Sequence, residues 1–305
     1  MKKSISGIWI MACFGLMVGL LSPFSALCED PGGQPLLFAG IFDKLLDPNS
    51  KEGKIIQGAV SILGSTSKID YESERTIGES LALEGFRRYG TPVKDADLQK
   101  YVNLVGNAVA RNSLRPEIPY RFVVVQSPLQ NAFSCPGGII FISSGLLKTI
   151  HNEAQLAGIL AHEVAHVGHR HALQSIQRAQ FFKGVGKITS ATMEGKKGKE
   201  FEDMIGSLQN TLFDKGLDQN MEFEADKSAM ETAYRTGYDP KGIIEVLRDL
   251  KKIEARSQKQ GSWFSTHPPL GERIQRCEAE MGRYPDAKSL PHLEARYREY
   301  IRDAR

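Results

Sequence analysis

A chain of 305 residues with 41% hydrophobic and 25% charged side chains has the composition of a folded globular protein, which excludes fibrous, low-complexity and disordered classes. Its formal charge of +3 falls to +1 without Lys2 and Lys3, because no acidic residue precedes Glu29, so nothing recommends nucleic acid as a partner. Four cysteines are too few for a disulfide framework.

The first segment stands apart. Lys2 and Lys3 precede an almost uncharged apolar run from Ile8 to Leu21, then Ser22-Pro23 and small residues near Ala26, the tripartite pattern of a secretory signal peptide over residues 1–28. The run is shorter than the roughly 20 residues of a full membrane span, so cleavage and a periplasmic location are expected. Acylation of Cys28 would instead leave a lipid-anchored protein, but Leu27 stands where such sites want a small residue. No later stretch is long and apolar enough to cross a bilayer. Cys13 and Cys28 leave with the signal, and Cys135 and Cys277 remain either as one bridge or as two separate buried thiols.

Residues 29–68 mix Pro and Gly with short apolar pieces, Leu36 to Leu46 and Ile55 to Leu63, and read as a helical arm. From Ile69 to Asn112 apolar positions such as Leu98, Val102, Val105 and Val109 recur at three and four, which predicts two amphipathic helices divided by Gly90-Thr91-Pro92. Tyr120 to Gln126 and Ile139 to Ser143 are β-forming runs, a strand pair joined by a loop from Ser127 to Gly138. Asn152 can cap a helix from about Glu153 to beyond His171. After Phe182 the Gly- and Lys-rich stretch through Lys199 reads as a surface segment, or as a lid. A helix over Asn220 to Thr236 stopping at Gly237, and another from Gly242 to about Gln258, complete the pattern.

His162-Glu163-Val164-Ala165-His166 lies inside the strongest of these helices. Residues four apart project from one face, so two imidazoles converge on one point, and Glu163 flanks the same edge as a general base. Met221 to Asp226 supplies the acidic third ligand. Glu222 shares a face with Ala225, Asp226, Ala229 and Ala233, the small-residue side that can pack against another helix, whereas Glu224 points away beside Lys227 and Glu231. His162, His166 and Glu222 are therefore the expected zinc ligands, and Asp226 the acceptor of a ligand's second ring N–H. His169 falls on the same face as the two histidines, one turn farther on, as a packing or outer-shell position.

With these residues in place the chain resembles peptidase family M48, and within it the soluble periplasmic members related to BepA and LoiP, over about Tyr71 to Ile274. The resemblance rests on Asn131-Ala132-Phe133 with Pro136-Gly137-Gly138, Gly145-Leu146-Leu147, the Glu153 to His171 helix ending in Arg170-His171, Glu222 through Asp226, and Ser265-Thr266-His267-Pro268 with Arg273-Ile274. It implies a gluzincin-like fold, α+β and mainly helical, with one zinc ion per chain and a small sheet bordering the active-site cleft. Asn131, Ile139, Ile140 and Phe141 would line that cleft and pair with an extended substrate, which favours unfolded or misfolded polypeptides of the cell envelope. His267 would stabilise the oxyanion, occupy the fourth zinc position and hold the enzyme off, or merely form a His-Pro-Pro turn. Arg273 would assist at the cleft or make a salt bridge.

The implied organisation is a peptidase domain over 69–275 and a C-terminal helical extension over 276–305. That extension is too short for a helical-repeat array, and the membrane helices of the CAAX-processing branch are missing. The expected activity is zinc-dependent endopeptidase. Its rival is a chaperone-like binding module with a structural or plugged zinc site, against which Glu163 argues, since a structural site has no use for that acid.

Overall fold

The computed structural model describes residues 69–182, 206–207, 209–255, 267 and 269–301. The expected signal (1–28), the arm (29–68) and the surface segment or lid ending at Lys199 lie outside them. Helix α1, Tyr71–Tyr89, starts where the Asp70 side chain accepts the Ser73 N–H and ends at Gly90. Helix α2, Ala96–Ala110, is capped in the same way by Asp95 on Leu98.

Three strands follow: β1, Arg121–Val125; β2, Ala132–Cys135; β3, Ile139–Ser143. The order is β1-β3-β2, with β3 parallel to β1 and antiparallel to β2. The expected loop between two strands thus contains a third. At four residues β2 is too short to show a period of its own. Cys135 to Gly138 closes the β2–β3 hairpin, with Pro136 second, Gly137 third at φ 80 and Gly138 N–H donating to the Cys135 carbonyl at 3.3 Å, the pattern of a type II turn. A Cβ on Gly137 would stand 2.6 Å from Arg75 Cα, so α1 packs directly on this turn.

The outer edge of β1 is occupied. Val93 N–H donates to Val124 O at 2.9 Å, the Gln99 amide bonds Phe122 O and Val124 N–H, and Asn103 Oδ1 accepts the Phe122 N–H.

After a one-turn helix, α3, Ser144–Leu147, comes α4, Glu153–His169, capped by Asn152 and buried at every position from Glu153 to Val167. A helix buried all round belongs in the middle of a domain. The sheet, α2, α6 (Gln219–Thr236) and α7 (Lys241–Glu254) surround it. Close approach of α4 and α7 depends on two glycines: a Cβ on Gly158 would meet Ile243 N at 2.8 Å, and one on Gly242 would meet Ala154 O at 2.4 Å.

Instead of running past His171, α4 stops at His169. Arg170 adopts the left-handed conformation, φ 59 and ψ 36, and α5, His171–Phe182, starts in a new direction. A non-glycine residue there costs about 1–2 kcal/mol. Long-range contacts offset that cost: Arg170 Nη1 donates to Ile69 O at 3.0 Å and Nε lies 3.2 Å from Glu74 Oε2. Glu74 is fully buried and also takes two bonds from Arg115, at 2.8 and 3.0 Å, and the Gly137 N–H at 3.2 Å.

The boundary expected after residue 275 falls inside α8, Leu270–Glu280, and α9, Glu294–Ile301, is fastened to the same core. Tyr297 donates to Leu147 O at 2.5 Å, and His292 O accepts from the N–H groups of Glu153 and Ala154 at the start of α4. The buried Glu153 carboxylate accepts from Tyr101 at 2.8 Å and Tyr238 at 2.6 Å, and pairs with Arg296. Cys135 and Cys277 are separate free thiols, both buried, and burial pushes both up in pKa.

Removing the Glu153 carboxylate strands two buried hydroxyls and a guanidinium. Glu153→Ala is expected to cost about 2–5 kcal/mol through those unpaired hydroxyls, and Arg296→Ala, which leaves the fully buried Glu153 carboxylate without its cation, about 3 kcal/mol. Chemical denaturation of both variants checks this, and a Glu153→Ala protein as stable as wild type would show that something else holds the start of α4.

Candidate metal centre

Helix α4 carries His162, Glu163 and His166; α6 carries Glu222 and Asp226; α8 carries Arg273, and His267 stands just ahead of it. All seven side chains are buried. His162 Nε2 and His166 Nε2 lie 2.9 Å apart. Glu222 completes a triangle, with Oε2 3.4 Å from His162 Nε2 and Oε1 3.5 Å from His166 Nε2.

The outer ring nitrogens decide what these inner atoms are. Asp226 Oδ1 lies 3.0 Å from His162 Nδ1, and a carboxylate only accepts, so Nδ1 carries the proton and Nε2 a lone pair. Arg273 Nη2 is 3.4 Å from the same Nδ1, a longer contact that is no hydrogen bond while Nδ1 is protonated. His166 Nδ1 is 2.8 Å from His171 Nδ1, and burial lowers the His171 pKa, with the Glu224 bond opposing.

Two imidazole lone pairs and a carboxylate facing one another in the interior repel unless a cation lies between them. One zinc ion fits this donor set, since two imidazoles and a carboxylate are the ligands zinc takes. His267 offers a fourth donor, within 4.8 Å of the other three.

Charge points the same way. Glu163, Glu222 and Asp226 stand against the single guanidinium of Arg273, leaving the buried cluster short by the charge of one divalent ion. Arg273 makes the salt bridge: Nε and Nη2 grip Asp226 at 2.7 and 2.6 Å, and Nη1 reaches His267 O at 2.7 Å and Glu222 Oε2 at 3.0 Å. Burial alone would raise the Asp226 pKa, but Arg273 and His162 hold it down at about 2. Glu222 is likewise lowered against its burial, by His267, Arg273 and His162. For His162, burial and Arg273 act downward, yet the bonds to Asp226 and Glu222 prevail and hold it up at about 9. Without a metal, a proton on His162 supplies one of the two missing charges.

Outside this group the structure departs from the sequence reading. Glu224 is 53% exposed but does not point away from the site: Oε2 lies 3.1 Å from His171 Nε2 and Oε1 3.3 Å from His169 Nδ1. His169 also bonds Ser228 Oγ at 2.8 Å. His171 was missed because a continuous helix would turn it about 140° from His166; the break at Arg170 brings it back. The only sequence signal was its place at the end of Arg170-His171.

Ile139, Ile140 and Phe141 do not border a cleft with a free edge. They lie in the central strand, paired on both sides and buried. Asn131 is also buried, its carbonyl bonded to Ser143 N–H and its side chain to the Tyr89 hydroxyl.

The sequence profile of Peptidase family M48 matches residues 96–281. The Beta-barrel assembly-enhancing protease of Yersinia pestis is 28% identical over 250 residues, covering 77% of this chain and 49% of that protein. Its namesake from Escherichia coli (strain K12) is 27% identical over 190 residues, 60% and 38% of the two chains. The mitochondrial metalloendopeptidase OMA1 of Schizosaccharomyces pombe is 28% identical over 182 residues, 58% and 51%. The chain spans about half the length, or less, of these curated relatives.

Since His162 keeps its proton up to about pH 9, zinc must displace it at lower pH. Zinc affinity should therefore rise with pH until about 9 and then level, and titration of the metal-free protein near neutrality should release about one proton per zinc. Calorimetry in buffers of differing ionisation enthalpy measures this; binding without proton release would contradict the assignment.

Proposed function

The chain belongs to peptidase family M48, and on that premise we propose that it is a zinc-dependent endopeptidase with Glu163 as general base. The observation that carries the reading is the convergence of the two Nε2 atoms and Glu222 on one buried point, with Glu163 alongside. His162, His166 and Glu222 would hold one zinc, which when bound supplies the Lewis acidity that makes water a nucleophile near neutral pH. Glu163, fixed on α4 between the two histidines, takes the proton of the attacking water and returns it to the leaving amine. Asp226, held ionised by Arg273, keeps His162 in the tautomer that leaves Nε2 bare.

Extended polypeptide is the substrate class. Among the described residues no strand pairs with the outer edge of β2, which packs against α4. Phe133 is bonded toward β3, as Asn131 is to Ser143, so Ala132 and Ser134 turn their backbone groups outward, where a substrate strand can add. The export signal read in residues 1–28, together with relatives named for β-barrel assembly, supports unfolded or misfolded envelope proteins as targets and a periplasmic location. No described helix is long and apolar enough to cross a membrane.

The enzyme is latent in this conformation. His267 is buried, its Nε2 3.7 Å from Glu163 Oε1 and its carbonyl pinned by Arg273, so its ring occupies the space a substrate carbonyl and water need. This arrangement also favours the binding-module alternative, in which the plug never leaves.

Casein cleavage and zinc content, measured side by side, separate these. Glu163→Gln should retain one zinc per chain and lose about a hundredfold or more of the activity, and His267→Ala should cleave faster than wild type. A slower His267→Ala would make that residue a catalytic aid, and zinc without cleavage in any form would leave the binding module.

A further inference from the structure

Two groups behind His166 take no part in the reaction proposed above. His171 is fully buried, and Glu224, on α6, is half exposed. They form one line with His166: Nδ1 to Nδ1 at 2.8 Å, then His171 Nε2 to Glu224 Oε2 at 3.1 Å. The proton count along this line has a single solution for neutral rings. Glu224 can only accept, so the one proton of His171 is on Nε2; its Nδ1 is then an acceptor, and the proton between the rings belongs to His166. His166 is left with a bare Nε2, the atom that faces His162 and Glu222.

We propose that His171 and Glu224 are positioning residues for the metal: the carboxylate on α6 sets the tautomer of His171, and His171 sets the tautomer and ring orientation of His166. This rests on the zinc reading and deepens it. The two ligand histidines are thereby supported differently, His162 directly by the Asp226 carboxylate and His166 through an intervening imidazole. His169 belongs to the device, because its Nδ1 lies against the second oxygen of Glu224 and restrains a side chain that would otherwise be free to swing into solvent.

His169, His171 and Glu224 are also close enough together to suggest a second cation site, and the same proton count argues against one. A cation on His171 Nε2 drives the ring proton to Nδ1, where at 2.8 Å it meets the Nδ1 proton of His166. A second ion there and a metal on His166 Nε2 exclude each other.

The test is zinc affinity by competition with a chromophoric chelator, beside the visible spectrum of the cobalt-substituted protein. His171→Leu should weaken zinc binding about 10- to 100-fold and alter the cobalt spectrum. In His171→Gln the side-chain carbonyl can take the His166 proton, so part of the affinity should return, which filling of the same space by Leu does not achieve. Glu224→Leu, at an exposed position that folding tolerates, should fall between wild type and His171→Leu. Affinity equal to wild type in Glu224→Leu and His171→Leu overturns the proposal, and Glu224→Leu decides alone should His171→Leu not fold. A wild-type protein that binds no zinc would instead refute the metal reading beneath it.

Discussion

Three carboxylates, one guanidinium and three imidazoles share a dry interior at the meeting of α4, α6 and α8, and the rest of the structure depends on keeping their charges matched. An ion in such a place costs several kcal/mol unless it is paired and hydrogen-bonded. Every geometric choice around the site reduces that cost. Arg273 answers Asp226 with two parallel bonds and spends its remaining nitrogen on Glu222 and the His267 carbonyl. What is still unbalanced amounts to the charge of one divalent cation, so a metal bound there would stabilise the folded chain.

Such a centre needs a rigid helix beneath it, and α4 is anchored at both ends by a buried acid. At its start Glu153 gathers two tyrosines and Arg296 from three other parts of the chain. Beyond its end Glu74 gathers Arg115, Arg170 and the Gly137 amide. The second anchor also shapes the site, since it stabilises the left-handed Arg170 that turns His171 back behind His166. The ligand helix is thus held against the β2–β3 turn and the C-terminal helices at once, and the segment after residue 275 belongs to the same core.

Sequence reading reached the candidate metal cluster through residues that share an element. His162, Glu163 and His166 lie within one helical turn, and the choice of Glu222 over Glu224 as the inward acid needed only the small-residue face of α6. The same logic misjudged Glu224, because an outward-facing carboxylate on α6 can still lean toward a histidine on α5. It placed the substrate edge on Ile139 to Phe141, because strand order is a property of the sheet. Four residues of β2 between a Pro-Leu loop and a Pro-Gly-Gly turn carry no readable alternation, so the strand whose outer edge has no partner strand among the described residues was taken for loop.

By itself, then, the sequence determined the main helices, the cap at Asn152, the His-Glu-x-x-His face and the inward side of α6, all set by periodicities and hydrogen bonds spanning a few residues. Only the tertiary structure decided the break at Arg170, the central place of β3, the part of His171 and Glu224, and the burial of Arg273 between Asp226, Glu222 and the His267 carbonyl. Each of those arises from partners tens of residues apart, whose combined ion pairing outweighs the one or two kcal/mol by which local propensity prefers another conformation.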